Sequence, residues 1–168
     1  TDDEPLEIER TDRGVVVSRW ISGNLPSPYY ADLVKFDGNC DRLQHYEMCL
    51  PAIALNKSIY TPEGTGGPGK PYVENTYVNI SYNFMTPIDE DNTRYFWFQH
   101  RNTDPNNKKI SEKMNAGAVM AFEEDRAVLE DVHLGMKNPM TPNIDLGLDS
   151  GAKQFRLMLK RKIEEEIK

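Results

Sequence analysis

Residues Met114–Val132 read MNAGAVMAFEEDRAVLEDV. Apolar side chains recur at Met114, Ala118, Ala121, Leu129 and Val132, the steps of three and four that mark one face of an amphipathic helix. Between Ala121 and Leu129 the stripe passes through Asp125, with Phe122 and Val128 beside it. Glu123, Glu124, Glu130 and Asp131 fall on or next to the opposite, solvated face. The pattern therefore predicts one carboxylate on the apolar side of a long helix. A buried unpaired carboxylate is costly, so it is expected to be paired, protonated or bound to a metal.

Upstream of this helix the chain reads as strands. Leu6–Arg10 alternates apolar and charged residues, Asp12-Arg13-Gly14 is a turn signal, and Val15–Ile21 is strongly β-forming, which together predict a hairpin. Gly23–Pro28 is a loop, and Tyr29–Phe36 a short helix or irregular cover. Arg42–Cys49 alternates, with Leu43, His45 and Glu47 on one face and Gln44, Tyr46 and Met48 on the other. Ala52–Tyr60 is a further strand. Tyr72–Met85 alternates over a long span, and one of its faces, Tyr77, Asn79, Ser81 and Asn83, is unusually polar. Thr93–Arg101 (TRYFWFQHR) is an aromatic strand expected in the core.

The Asp125 helix should begin near Ile110 or Ser111 and break across Gly135–Asn143, where a glycine and two prolines follow its last turn. A final helix begins near Asp149 or Ser150 and buries Ala152, Phe155, Leu159 and Ile163. Strands followed by two helices make an α+β fold: a curved antiparallel sheet gripping a long helix, the helix-grip or Bet v1-like arrangement, with a second C-terminal helix.

The 168 residues fit one domain. A net charge of −7 argues against a nucleic-acid or anionic-membrane surface, and no apolar run reaches the length of a membrane span. Cys40 and Cys49 make no disulfide framework and read as free thiols of a cytoplasmic protein. The acidic, polar opening TDDEPLEIER is no signal peptide, and its lack of an initiator Met suggests a piece of a longer protein.

Several groups could carry chemistry. Asp125 could pair with Arg94, Arg101 or Arg126, or serve as metal ligand, general base or cavity contact. His45 and Glu47, two apart on a strand, share a face as surface residues or a weak metal pair. His133 lies two turns from Asp125, about 12 Å along the axis, so the two cannot share one metal. His100 sits among aromatics as a half-core histidine. Thr61–Pro71 (TPEGTGGPGKP) resembles a phosphate loop only in composition, because Lys70 precedes Pro71 and a strand instead of opening a helix. No Cys-x-His, His-Glu-x-x-His, Gly-x-Ser-x-Gly or Gly-x-Gly-x-x-Gly occurs, so the chain holds no complete metal or nucleophile motif.

The order of the pieces ERTDRGVVVSRW (9–20), FDGNCDRLQ (36–44), FMTPIDEDNTRYFWFQHRN (84–102), AFEEDRAVLEDVH (121–133) and LGLDSGAKQFRLMLKRKIEEE (146–166) is distinctive. It resembles the C-terminal catalytic domain of Rieske non-haem iron oxygenases, in the branch of vanillate O-demethylase and dicamba monooxygenase. The resemblance implies a mononuclear Fe(II) held by two histidines and a carboxylate, the carboxylate being Asp125. It places the two histidines, and a Rieske domain with a 2Fe-2S cluster, ahead of residue 1. Residues 1–168 would then be the rear, substrate- and iron-binding part of such an enzyme, inactive alone. Asn83 matches a strand position that contacts substrate in the dicamba-degrading relative, where a His stands instead. Asn115, Ala118, Val119 and Phe122 would line the same cavity.

The implied reaction is O-demethylation or hydroxylation of an aromatic substrate with O₂. Its electrons would come from NAD(P)H through a reductase or ferredoxin, and the enzyme would be a homotrimer. A non-enzymatic helix-grip module for a hydrophobic small molecule is the alternative. A structural subunit with Asp125 in a subunit contact is a third reading.

Overall fold

The structure is a computed structural model that describes residues 4–138, 140 and 144–167. Six strands form in chain order: β1 (Glu7–Arg10), β2 (Gly14–Asn24), β3 (Cys40–Cys49), β4 (Ile53–Pro62), β5 (Tyr77–Pro87) and β6 (Thr93–Arg101). Each pairs antiparallel with the next in the order β1-β2-β3-β4-β5-β6. Helix α1 spans Lys108–Met136, and α2 (Ser150–Glu166) follows a 3₁₀ turn at Gly147–Asp149. The strands and α2 belong to one compact unit and α1 to a second. This is the α+β class read from the sequence, and no helix is long and apolar enough to cross a membrane among the described residues.

Local chemistry explains the connections. The Thr11 hydroxyl accepts the N–H groups of Arg13 and Gly14, closing the β1–β2 turn. The Asp89 carboxylate gathers the N–H groups of Asp91 and Asn92 and the Asn92 side chain, closing β5–β6. Between β2 and β3 the chain forms consecutive turns without a helix. These turns bury Leu33 and bring Tyr30 within 5.1 Å of Tyr60 and 5.6 Å of Tyr77, ring centre to ring centre.

Helix α2 lies on β2, where a Cβ on Gly151 would collide with the Val17 side chain. The missing side chain permits that close approach, and it moves the buried contact to Gly151 and Phe155. Ala152 and Ile163, expected on the buried face, are exposed.

Other expectations are also corrected. Residues 72–76 are not strand; β5 begins at Tyr77, whose partner Tyr60 is the last β4 residue paired with β5, while Thr61 and Pro62 continue β4 along β3. Helix α1 starts at Lys108, capped by the Asn107 side chain on the Ile110 N–H, and Gly135 lies inside it, ahead of a Lys137 cap. Pro139 and Pro142 fall outside the described residues. The β6 aromatics are not core: Tyr95, Phe96 and Phe98 are exposed because β6 is an edge strand. Phe98 instead stacks on Tyr82 at 4.8 Å, and His100, also exposed, lies 5.3 Å from Tyr82.

Asp41 joins the glycine-rich loop to the sheet. It is 2% exposed, and its two oxygens accept the N–H groups of Gly23 at 3.3 Å and Gly66 at 2.9 Å. A Cβ on Gly66 would come within 2.5 Å of Asp41 and 2.6 Å of the Trp20 ring. Asp41→Ala leaves both N–H groups without an acceptor. It is expected to lower unfolding stability by about 1–3 kcal/mol in urea titration, and an unchanged midpoint would refute the staple.

Further along the same face of β3 as Asp41, His45 Nε2 lies 3.5 Å from Glu47, an ion-pair distance rather than a hydrogen bond, and Lys57 lies 3.7 Å from Glu47. Burial, then the Lys57 ammonium, holds His45 below the usual imidazole range despite Glu47. The folded state therefore binds this proton less readily than the unfolded chain. Its contribution is complete above the unfolded value of about 6.5 and is lost as pH falls through the lower folded value. Stability should decline as pH falls below about 6.5, and His45→Gln should flatten that decline; a slope identical to wild type in denaturant titrations would count against it.

Candidate functional site

In an antiparallel sheet, residues opposite one another share a face. The register sets Gln44, Ser58, Asn79 and Arg101 in one row across β3–β6, and Tyr46, Asn56, Ser81 and Gln99 in the next. Met48, Ala54, Asn83 and Trp97 make a third. One sheet face is thus largely polar. On β5 it is also buried: Asn79, Ser81 and Asn83 are 2%, 6% and 3% exposed. A solvated edge strand would show the reverse, and β5 lies between β4 and β6.

The polar atoms of this row divide into satisfied and unsatisfied. The Asn83 amide donates to the Ala54 carbonyl at 3.3 Å, and Asn83 Oδ1 accepts the Tyr95 hydroxyl at 2.7 Å. The Asn79 amide donates to Tyr30 Oη at 3.4 Å, a long contact. Tyr77 Oη, Asn79 Oδ1 and Ser81 Oγ are buried with no partner among the described residues. Burial, with Tyr30 and Tyr29 adding to it, pushes the Tyr77 phenol far above its ordinary value, so it stays neutral. The row therefore offers uncharged hydrogen-bonding groups, suited to a polar substituent of a bound molecule. It supplies no general base or nucleophile.

Helix α1 brings the remaining sequence candidates to one side of itself. At about 100° per residue, Asn115, Ala118, Val119, Phe122 and Asp125 fall within an arc of about 120°. Ala118 is buried, Phe122 is half-buried, and Asn115, Val119 and Asp125 are exposed. Burial of Asp125 is thus corrected: Met114 and Ala118 are buried, but Ala121, Leu129 and Val132 further along the stripe are exposed with it. Arg126 is committed to Glu123 at 2.7 Å and Glu130 at 3.7 Å, so it is not the partner of Asp125. Asp125 is an accessible carboxylate, able to serve as one ligand of a metal set. No three His, Cys, Asp or Glu side chains come together as such a set among the described residues.

His45 and Glu47 do share a face, as their spacing implied, but on the side of the sheet opposite the polar row. Burial pushes Glu47 up, and the Cys49 thiol, His45 and Lys57 outweigh it, leaving the carboxyl below its usual range. Cys49 donates to Glu47 at 3.3 Å, and both cysteines are free and buried. Sequence reasoning missed Tyr30, which reaches the row from the β2–β3 turns. Its only local signal was the aromatic pair Tyr29-Tyr30 in a stretch with no clear period.

Comparison with known proteins identifies the family of the chain. The model of the family described as vanillate O-demethylase oxygenase C-terminal domain matches residues 1–165. The toluene-4-sulfonate monooxygenase system iron-sulfur subunit TsaM1 of Comamonas testosteroni is 31% identical over 163 residues, covering 96% of this chain and 47% of that protein. A vanillate O-demethylase oxygenase subunit of a Pseudomonas species is 23% identical over 171 residues, covering 98% of this chain and 52% of its own. The crystal structure of dicamba monooxygenase bound to 3,6-dichlorosalicylic acid superposes with a TM-score of 0.83 at 20% identity, covering 99% of this chain and 48% of that one. At that identity the likeness bears on the fold. The chain spans about half the length of these relatives. With the family match running over nearly all of its residues, the chain belongs to the vanillate O-demethylase oxygenase C-terminal domain family.

Proposed function

We propose that this chain is the catalytic-domain portion of a Rieske-type oxygenase that O-demethylates or hydroxylates an aromatic substrate. The family match over residues 1–165 carries the reading. The buried neutral row on β5 supports it from the chain's own chemistry, since aromatic substrates with oxygen substituents need hydrogen-bond partners in an otherwise dry site.

In this reading Asp125 is the carboxylate ligand of a mononuclear iron whose two histidines lie outside these 168 residues. The iron, when bound, supplies O₂ activation, with electrons from an NAD(P)H-dependent reductase or ferredoxin through a 2Fe-2S cluster. A homotrimer is the proposed assembly. Asn83 holds a polar substituent of the substrate and is itself held by Ala54 and Tyr95. Such second contacts keep a recognition side chain in one rotamer, which sharpens orientation more than raw affinity. Ala118, Val119 and Phe122 present small and apolar surface, and Asn115 a polar amide, on the Asp125 side of α1, suited to an aromatic ring with a polar substituent.

The polar row also suits a carrier of hydrophobic small molecules that uses no iron, and the two readings differ at Asp125. In the full-length protein, Asp125→Ala is expected to lose the mononuclear iron on elemental analysis and keep the 2Fe-2S spectrum. Equal mononuclear iron in wild type and variant would overturn the ligand assignment, and no mononuclear iron in either would favour the carrier. Asn83→Leu should raise KM for the aromatic substrate about tenfold with iron content unchanged, as expected for one lost hydrogen bond of about 1–1.5 kcal/mol. An unchanged KM would remove Asn83 from the substrate contact. The 168-residue chain by itself is expected to show no oxygenation.

A further inference from the structure

Arg42 on β3 lines a cavity of about 420 Å³ together with Ile21, Asn24, Leu25, Ser27 and Cys40. Its guanidinium carbon lies 5.3 Å from the Tyr60 ring centre, a cation–π position. Its Nε is buried and has no hydrogen-bond partner among the described residues. The neighbouring Asp41 cannot serve, because successive strand residues face opposite ways and its carboxylate is taken by Gly23 and Gly66.

The other lining groups add no charge. Burial raises the Cys40 thiol, with Asp41 adding to it, and the thiol donates to the Asn24 carbonyl at 3.0 Å. Tyr60, beneath the guanidinium, is pushed up to about 12 by burial and shares a 2.9 Å hydrogen bond with the Ser27 hydroxyl. Arg42 is therefore the one charge among the lining residues, in a chain whose net charge is −7. A half-buried cation with an unmet donor favours an anion, and Arg is suited to planar oxyanions.

We infer that this cavity is a second binding site, separate from the β5 row, for the carboxylate or sulfonate of a small organic anion. The oxyanion sits on Arg42 and Ser27, and the apolar body lies against Ile21 and Leu25. The volume accommodates a single substituted ring. This inference does not depend on the iron reading, since every residue it uses lies on β2, β3, β4 or the turns between β2 and β3.

Calorimetric titration of the 168-residue chain with benzoate, its neutral analogue benzamide, toluene-4-sulfonate and inorganic sulfate tests it. Benzoate or toluene-4-sulfonate, or both, should bind, and which of them does identifies the oxyanion. Benzamide and sulfate should bind at least tenfold more weakly. Arg42→Gln should weaken the organic anion about tenfold, with Arg42→Lys recovering part of the loss. Equal binding of benzamide, equal binding of sulfate, or unchanged affinity in a folded Arg42→Gln protein would each overturn the site. Should Arg42→Gln fail to fold, Leu25→Asp places a carboxylate at a rim position that is 74% exposed and should also weaken binding; unchanged affinity there overturns it as well. Asn83→Leu should leave the affinity unchanged. Loss of binding in that variant alone would move the anion to the β5 row, overturning this site while favouring the proposed function.

Discussion

Side chains opposite each other in an antiparallel sheet share a face, and the rest of the site depends on that constraint. Because each strand here pairs with its sequence neighbour, the alternation Tyr77, Asn79, Ser81, Asn83 on β5 is not local. The register carries it onto Ser58 and Asn56 of β4 and onto Gln99 of β6. A slip of one residue would turn the polar set to the other side and bring Tyr82 and Phe84 into its place. Both candidate sites, the β5 row and the Arg42 cavity, are read from this same face.

Burying so many amides and hydroxyls is unfavourable unless they are bonded, and the molecule satisfies them unevenly. Asn83 is held from two sides, by a β4 carbonyl and a β6 tyrosine. Asn79 has one long bond to Tyr30, while Ser81 and Tyr77 have none among the described residues. Buried orphans in a native protein call for an explanation, and a ligand with matching groups is the one proposed here. The opposite face follows ordinary logic, with Ile59 buried, the Tyr82–Phe98 stack half covered and the imidazole of His45 beside the charged pair Glu47 and Lys57.

Helix α1 shows how far periodicity reaches. The stripe from Met114 to Val132 located the helix and the odd carboxylate within it. It also implied burial along the whole stripe, which holds at Met114 and Ala118 and fails from Ala121 onward. An apolar stripe states what a helix can cover, not what covers it. The exposed Val128, Leu129 and Val132 of this family member, which spans about half the length of its relatives, illustrate the difference.

The sequence by itself determined the strands, the two helices, the faces of β3 and β5 and the family resemblance, because period, turn residues and motif order are local properties of a chain. Asp149 and Ser150 marked the start of α2 on those grounds. Only the tertiary structure decided which polar residues are buried, because burial depends on strand order and on what loops lie over them. It made β6 an edge and so exposed Phe96 and Phe98, and it placed β5 inside the sheet and so buried Asn79 and Ser81. It also set Arg42 over Tyr60 beside a cavity, a meeting of β3, β4 and the β2–β3 turns that no spacing along one strand encodes.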